Sequence, residues 1–309
     1  MMRLDGGADV PVALRAGIVA LGNFDGFHRG HQAVVARARA RAASEQRPLI
    51  VATFDPHPVR YFKPDAAPFR LTTLDQRARL FAAAGADAMV VFGFDAALAS
   101  LSAEDFVVER LVARLGVAGV VTGDDFTFGR GRSGDVGVLR ALGAQHGFSV
   151  DTVSPVAEGG DVVSSSRIRA LLTHGDPRGA AALLTRPFAI EGVVQHGDKL
   201  GRTIGYPTAN VALGNYLRPA YGIYAVRARL DDGRVVDGAA NLGIRPSFDP
   251  PKELLEAYLF DFAEDLYGRT IEIALIDYLR AEAKFDSLDA LTAQMDADCA
   301  AARAVLARS

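Results

Sequence analysis

The sequence predicts an α/β domain with a parallel sheet over residues 1–184, followed over residues 185–309 by a mostly antiparallel β-barrel with a C-terminal helix. Three observations predict this. Up to about residue 184, short β-branched runs alternate with helical patterns, the rhythm of a parallel sheet covered on both faces. Beyond residue 186, strand-like runs follow one another with turn signals and no helical pattern between them. One long amphipathic stretch then closes the chain.

In order, AGIVAL (16–21) reads as a buried strand and HQAVVARARARAASEQ (31–46) as a helix. LIVATF (49–54) is a strand, LDQRARLFAAAG (74–85) a helix and AMVVFGF (88–94) a strand. AEDFVVERLVARLG (103–116) is a helix, VAGVVTG (117–123) a strand, VGVLRALGAQHG (136–147) a helix and FSVDTV (148–153) a strand. The seam falls near THGDPRGAAALLTRPF (173–188). After it, FAIEGVVQHG, GIYAVRARL, RVVDGAANLG, LLEAYLFDF and TIEIALIDYLR read as strands, with DDG (231–233) as one of the turns. The last helix is SLDALTAQMDADCAAARAVLA (287–307), with Ser287 as N-cap and an apolar stripe of Leu288, Leu291, Met295, Cys299, Ala302 and Leu306. No internal repeat or low-complexity tract interrupts the series.

Composition narrows the function classes. The formal net charge of -3 gives no global basic field, so nucleic acid is not an expected partner. Cys299 is the single cysteine, which excludes an intramolecular disulfide and a cysteine zinc site and fits a cytoplasmic location. The opening MMRLDGGADVPVALRAGIVALG is broken by Asp5, Asp9 and Arg15 and does not read as a secretory leader. No run approaches the roughly 18 apolar residues of a membrane helix. The expected partners are small molecules, for a monomer or a weak homo-oligomer.

GNFDGFHRGH (22–31) stands between the first strand and the first helix. Ligands of such folds sit at the carboxyl ends of the strands. Gly22, Gly26 and Gly30 let backbone approach a ligand closely. The helix that follows offers unpaired N–H groups and the positive end of its dipole, a natural anion site. His28 and His31 add donors that can stabilise charge on a transferring phosphoryl group. Any one of these residues in a surface loop would need no ligand; the whole constellation points to phosphate.

The pattern G-x-F-D-G-x-H-x-G-H resembles the signature of the HxGH nucleotidyltransferase superfamily, most closely its FAD synthetase branch. That resemblance implies a Rossmann-like nucleotidyltransferase domain, with Gly22, Asn23, Phe24, Asp25 and Gly26 in the nucleotide loop and His28 and His31 catalytic. VSSSRIRALL (163–172) resembles the [ST]-S-[ST]-x-I-R motif of the same superfamily, which places Ser165, Ser166 and Arg169 on the nucleotide phosphates. Ser166 stands where Thr is common, which keeps the hydroxyl. GDDFTFG (123–129) resembles a further loop of the family and implies roles for Asp125, Phe126 and Phe128 in the flavin and nucleotide pocket. TFDPHPVRYF (53–62) is similar to the family's F-x-P-x-P loop, with His57 and Phe62 lining the same cleft. Phe62 and Phe128 offer flat surfaces to an isoalloxazine ring, although each singly also reads as an ordinary core residue. Gly129, Gly131 and Gly134 also match G-x-G-x-x-G, the fingerprint of a nicotinamide oxidoreductase. This copy follows the fourth predicted strand after a five-residue spacer, Asp124–Phe128, and carries arginines inside it, which is the wrong context.

GDKLGRTIGYPTAN (197–210) carries the second site. Gly197, Gly201 and Gly205 make a flexible arch. Thr208 and Asn210 can present two oxygens on one side of an extended segment. Hard oxygen ligands of that kind suit Mg²⁺ held jointly with ATP phosphates. Alone, GYPTAN also reads as a turn entering a strand. G-x-x-x-G-x-P-T-A-N resembles the riboflavin kinase signature, and YGIYAV (221–226), NLGIRPSF (241–248), LLEAYLFDF (254–262), DLYGRTIEI and LRAEAKFDSLDALTAQMDAD (279–298) match in order. The resemblance implies that Glu256 is the general base on the ribityl 5′-hydroxyl. The family's usual His two residues later is Tyr258 here.

Both resemblances together cover nearly the whole chain and imply a bacterial bifunctional riboflavin kinase/FAD synthetase. Such an enzyme converts riboflavin and ATP to FMN, then FMN and ATP to FAD, with Mg²⁺ beside ATP in both sites. The other readings are a descendant with one activity, a non-catalytic flavin or nucleotide sensor, and an HxGH transferase acting on a pantetheine or nicotinate nucleotide.

Overall fold

Continuous apolar runs can be buried on both faces only inside a sandwich of helices, and the first half of the chain builds one. The computed structural model describes residues 1–196, 205–245 and 252–309. The chain forms two compact units, Met1–Ala66 with Thr72–Ser164, and Ala67–Leu71 with Ser165–Ser309.

The first unit holds a six-stranded sheet of β1 (Met2–Asp5), β2 (Ile18–Leu21), β3 (Leu49–Asp55), β4 (Ala88–Gly93), β5 (Gly119–Gly123) and β6 (Ser149–Val153), in the order β1-β4-β3-β2-β5-β6. Every pairing is parallel. The helices are α1 (Arg29–Ser44), α2 (Pro58–Phe62), α3 (Leu74–Ala83), α4 (Ala96–Ser100), α5 (Ala103–Asp105) and α6 (Val136–His146). From α5 the chain continues without a break as a π-helix, Phe106–Leu115, so the single predicted helix is wound in two ways.

The two-residue period of the strands sorts the core into two layers. Ile18, Ala20, Leu49 and Val51 meet Val34, Val35 and Ala38 of α1 and Phe81 of α3. Val19, Leu21, Ile50 and Ala52 meet Phe106, Leu111 and Leu115 of the π-helix and Leu139 of α6. The strand β1 was not predicted. Its four residues, MRLD, lie on the sheet edge and are largely exposed, so they carry no buried-strand pattern. A small hairpin, β7 (Ala157–Glu158) and β8 (Asp161–Val162), also escaped the pattern.

The second unit begins with α7 (Ser165–Thr173) and α8 (Pro177–Leu184). Asp176 caps α8 by accepting the Gly179 N–H at 2.7 Å, with Pro177 at the first helical position. Ala180, Leu183 and Leu184 are buried, and Arg178 pairs with Asp277 at 2.7 Å, so these helices pack with the strands that follow. Those strands are β9 (Phe188–Gln195), β10 (Thr208–Ala212), β11 (Gly222–Arg229), β12 (Val235–Arg245), β13 (Lys252–Leu259) and β14 (Thr270–Arg280). They close a barrel in the order β10-β13-β12-β11-β14-β9, with β9 pairing back to β10. Its interior row includes Val211, Leu255 and Leu242, each fully buried.

The C-terminal helix, Leu288–Leu306, lies on the outside of the barrel. Ser287 caps it, accepting the Ala290 N–H at 3.1 Å. Ala302 and Leu306 pack on Ala225, Ala239 and Phe260. The predicted stripe holds only in its later part: Leu288 is 55% exposed, and polar ties add to the apolar packing from the middle of the helix to its end. Arg280 grips Asp298 with bonds of 2.8 and 2.6 Å, and Arg227 donates to the Leu306 carbonyl at 2.8 Å. No helix among the described residues is long and apolar enough to cross a membrane.

Glu253 of β13 links this strand to the β10–β11 connection by accepting from Arg218 at 2.7 Å and from the Tyr221 hydroxyl. The Arg218 bond holds the Glu253 carboxyl below its ordinary 4.5, against the opposing effect of partial burial. A lowered pKa in the folded state means that the proton binds the unfolded chain more tightly. The stabilisation is therefore complete above about pH 4.5 and is lost as the pH falls through the lower, folded value. Glu253→Gln should flatten the acid limb of the melting-temperature profile below about pH 4.5, with little change in its shape near neutrality.

Candidate active sites

In the first sheet the chain steps from β2 outward through β3 and β4, then returns to the other flank of β2 with β5 and β6. The order therefore reverses between β2 and β5, and the loops leaving their carboxyl ends diverge around an open crevice. Thr122 of β5 donates its hydroxyl to the Leu21 carbonyl at 2.9 Å, fixing the two strand ends side by side. The loop after β2 is the GNFDGFHRGH segment, and the loop after β5 is GDDFTFG.

The loop after β2 is held in a strained form. Phe24 and Phe27 have φ of +50° and +44°, conformations that side chains with a Cβ avoid. Both rings are buried edge-on against Phe81, at 5.8 and 5.1 Å, which secures them. Asp25 is 3% exposed and accepts from the Thr72 N–H at 3.0 Å, while the Thr72 hydroxyl accepts from the Gly26 N–H at 2.9 Å. The Asn23 carbonyl accepts from Thr53 at 2.7 Å and from Arg77 at 3.2 Å. Phe24 and Asp25 thus shape the loop from within. A Cβ at Gly22 would stand 3.1 Å from the Phe24 ring, so the small residue fits the tight entry. The Asn23 Oδ1 is buried with no hydrogen-bond partner among the described residues.

His28 ends the loop as the N-cap of α1. Its Nδ1 accepts the His31 N–H at 3.4 Å, which leaves Nε2 to carry the ring proton of the neutral imidazole. His28 and His31 stack at 3.6 Å with 20° between their planes, and His28 is 5% exposed. The structure therefore joins both histidines to the N-terminal turn of a 16-residue helix.

The other predicted residues of this unit also follow strand ends. His57 caps α2 after β3, accepting from the Val59 N–H at 3.2 Å. Phe62, at the end of α2, is 65% exposed and lies edge-on to Phe94, which follows β4, at 5.8 Å. Asp125 is exposed after β5, and Phe126 stacks on Phe128 at 5.7 Å. Phe128 is buried against Phe106 at 5.6 Å, so it backs Phe126 from the core side. The G-x-G-x-x-G copy opens only a three-residue 3-10 turn, Arg130–Arg132: Phe128 and Gly134 exchange backbone hydrogen bonds at 2.9 Å, and the α-helix α6 starts later, at Val136. Ser165, Ser166 and Arg169 lie on α7 in the second unit. There Arg169 donates to the Phe69 carbonyl at 2.8 Å and covers the Phe69 ring.

In the second unit Gly197 and Gly201 lie outside the described residues, as do the last residues of NLGIRPSF. Gly205 precedes β10 with φ +88°. Thr208 and Asn210 share one side of β10, with the Thr208 hydroxyl 3.3 Å from Asn210 Oδ1. Asn210 is directly opposite Glu256 on β13, and Glu256 is directly opposite Asn241 on β12. Opposed residues of antiparallel strands share a face, so the three polar side chains form a row on the outside of the barrel. The neighbouring row is Thr208, Tyr258 and Ala239. Tyr258 meets Tyr206 at 5.0 Å and Phe260 at 5.9 Å, forming a wall toward the C-terminal helix. Tyr206 in turn bonds Asp296 of that helix, an acceptor that raises its hydroxyl pKa and keeps it protonated. Beside Thr208 a pocket opens, lined by Val194, Pro207, Ala257, Phe262, Leu266 and Tyr267. Arg234 braces its loop through Glu264, at 2.6 and 2.7 Å.

Two family models match in tandem, FAD synthetase over residues 11–167 and riboflavin kinase over residues 184–306. The bifunctional riboflavin kinase/FMN adenylyltransferase of Escherichia coli K12 is 41% identical over 93% of this chain and 91% of its own. That of Pseudomonas fluorescens is 43% identical over 96% and 94%, and that of Bacillus subtilis 38% over 91% and 90%. The chain belongs to the bifunctional riboflavin kinase/FMN adenylyltransferase family. A crystal structure described as a macrolide-efflux protein from Streptococcus pneumoniae has the same fold, with a TM-score of 0.85, 30% identity and coverage of 96% and 97%.

For this riboflavin kinase/FMN adenylyltransferase family member, sequence reasoning missed Arg77, Tyr206 and Asn241. Arg77 is 3% exposed, donates to Thr53 at 2.9 Å and stands 3.6 Å from Asp55. Its signal was present, since it falls on the inward stripe of α3 with Leu74, Ala78 and Phe81. Asn241 lay inside a quoted motif, but its alignment with Glu256 exists only through strand register. The Asp25–Thr72 lock carries a direct consequence. Asp25→Ala leaves a buried N–H without its acceptor and should destabilise the first unit by about 1–3 kcal/mol in a denaturant titration.

Proposed function

We propose that the chain carries out both steps from riboflavin to FAD, one in each unit. On the barrel, Glu256 accepts the proton of the ribityl 5′-hydroxyl as that oxygen attacks the γ-phosphorus of ATP. The bond to the β-phosphate oxygen breaks, giving FMN and ADP. The observation that carries this reading is the placement of Glu256 beside Asn210, two residues from Thr208, on one outer face. Phosphoryl transfer needs alignment and charge neutralisation more than covalent chemistry from the protein. Thr208 and Asn210 fit Mg²⁺: their oxygens are 3.3 Å apart, close to the roughly 3 Å between neighbouring oxygens around an octahedral ion. Bound there, Mg²⁺ would supply charge neutralisation on the ATP phosphates. The pocket beside Thr208, with its apolar wall of Val194, Pro207 and Leu266, suits the nucleotide base.

In the first unit an FMN phosphate oxygen attacks the α-phosphorus of a second ATP, and pyrophosphate leaves. No covalent enzyme intermediate is needed, so a chain with one cysteine meets the requirement. His28 Nε2–H and His31, at the first turn of α1, stabilise the charge that develops on the phosphoryl oxygens. The buried Asn23 Oδ1 of the same loop, without a hydrogen-bond partner among the described residues, fits a donor group of the substrate. His57, Phe62, Asp125 and Phe126, all at carboxyl strand ends, are assigned to the flavin. For Ser165, Ser166 and Arg169 the support is the motif alone. The setting consistent with these chemistries is a cytoplasmic enzyme of small molecules, monomeric or weakly oligomeric.

The two chemistries should separate by mutation. His28→Ala should lower FAD formation from FMN about 10²–10³-fold while FMN formation stays near wild type. Glu256→Ala should lower FMN formation about 10²–10⁴-fold and spare adenylylation of supplied FMN. Loss of both activities from either single change, in a normally folded protein, contradicts the two-site reading.

A further inference from the structure

The outer row of the barrel holds one polar group that neither proposed step uses. Asn241 Oδ1 is buried and has no hydrogen-bond partner among the described residues. Leaving a buried amide oxygen unsatisfied costs about 1–3 kcal/mol, so a partner supplied by a ligand recovers what the free protein forgoes. Strand register puts Asn241 directly opposite Glu256, with side chains on one face and Cβ atoms roughly 4.5–5.5 Å apart. The same-face neighbours along β12, Ala239 and Gly243, carry no side chain beyond a Cβ. The Glu282 carboxylate packs where a Cβ at Gly243 would stand, and Tyr258 flanks the side toward the C-terminal helix.

We propose that Asn241 is a substrate-contacting specificity residue that hydrogen-bonds an inner hydroxyl of the flavin's polyol chain, seating the terminal hydroxyl beside Glu256. This deepens the kinase reading above and rests on it. The spacing suits the chemistry, because the Glu256–Asn241 separation is one that a few carbons of a polyol span. The group type suits it as well. A hydroxyl both donates and accepts, so it complements the amide in either orientation. A site built to bond a hydroxyl discriminates strongly against a substrate that lacks it, whereas an apolar wall does not.

The test pairs a protein change with a substrate change in the full chain. Riboflavin is compared with a flavin bearing a 5-hydroxypentyl chain, which keeps only the terminal hydroxyl. Wild type should phosphorylate riboflavin with a kcat/KM about 5- to 150-fold above that for the analogue. Asn241→Ala should lose about that factor on riboflavin and less than about twofold on the analogue, erasing the preference. Dissociation constants from flavin fluorescence give the same comparison where the analogue is not turned over. Asn241→Ser, which keeps a short polar group, serves if the alanine variant does not fold, and unchanged adenylylation of FMN checks the first unit.

Equal losses on both flavins would overturn the proposal by assigning Asn241 a purely structural role. No loss on either would overturn it outright. Failure of the wild-type chain to phosphorylate riboflavin would instead remove the kinase reading, and this inference with it.

Discussion

The first unit depends on a reversal of strand order between β2 and β5. In a parallel sheet every strand ends at the same edge, but only where the order reverses do consecutive loops part and leave a crevice. The buried bond from Thr122 to the Leu21 carbonyl holds the two strands in step at that edge. All the chemistry-bearing loops of the unit then follow from connectivity. GNFDGFHRGH leaves β2, the His57 loop leaves β3, the Phe94 turn leaves β4 and GDDFTFG leaves β5. Neither the aromatic surfaces nor the helix N-terminus would converge on an anion if the strands ran antiparallel.

The loop after β2 also shows how backbone strain is held in place. Left-handed conformations at Phe24 and Phe27 cost free energy that the two rings offset by burial against Phe81. The return is orientation: with the chain turned sharply at Gly26, His28 arrives as the cap of α1 and its ring stacks on His31. The barrel solves the positioning problem differently. Its interior is filled by apolar side chains, and strand register aligns the polar Asn210, Glu256 and Asn241 on the outer face. The C-terminal helix flanks that face and is tied to it at Tyr206–Asp296 and Arg280–Asp298. The first unit presents backbone N–H groups and imidazoles at a helix start; the barrel presents polar side chains on strands.

Much of this was legible in the sequence, for identifiable reasons. The strands β2 to β5 are buried on both faces and read as unbroken apolar runs, and the glycine and histidine pattern between β2 and α1 sits where an anion site must be. The edge strand β1 was not legible, because four largely exposed residues have no pattern to show. The C-terminal stripe was overread at Leu288, since helical periodicity does not say how far a partner surface extends. The side chains of Phe24 and Asp25 hold the nucleotide-loop motif from within, a role the motif itself does not spell out, because a motif records which residues recur and not which way each faces. The row containing Asn241 is a property of pairing between strands distant in sequence, and periodicity within one strand does not contain it.

In the reading proposed above, one chain performs two successive transfers on the same flavin. The most direct measurement is a time course of the purified chain with riboflavin, excess ATP and Mg²⁺, with the flavins separated by chromatography. FMN should rise first and FAD follow at its expense, with ADP and pyrophosphate as the respective co-products. Accumulation of FMN with no FAD would contradict the assignment of the His28 site, and unchanged riboflavin, with FAD formed only from added FMN, would contradict that of the Glu256 site.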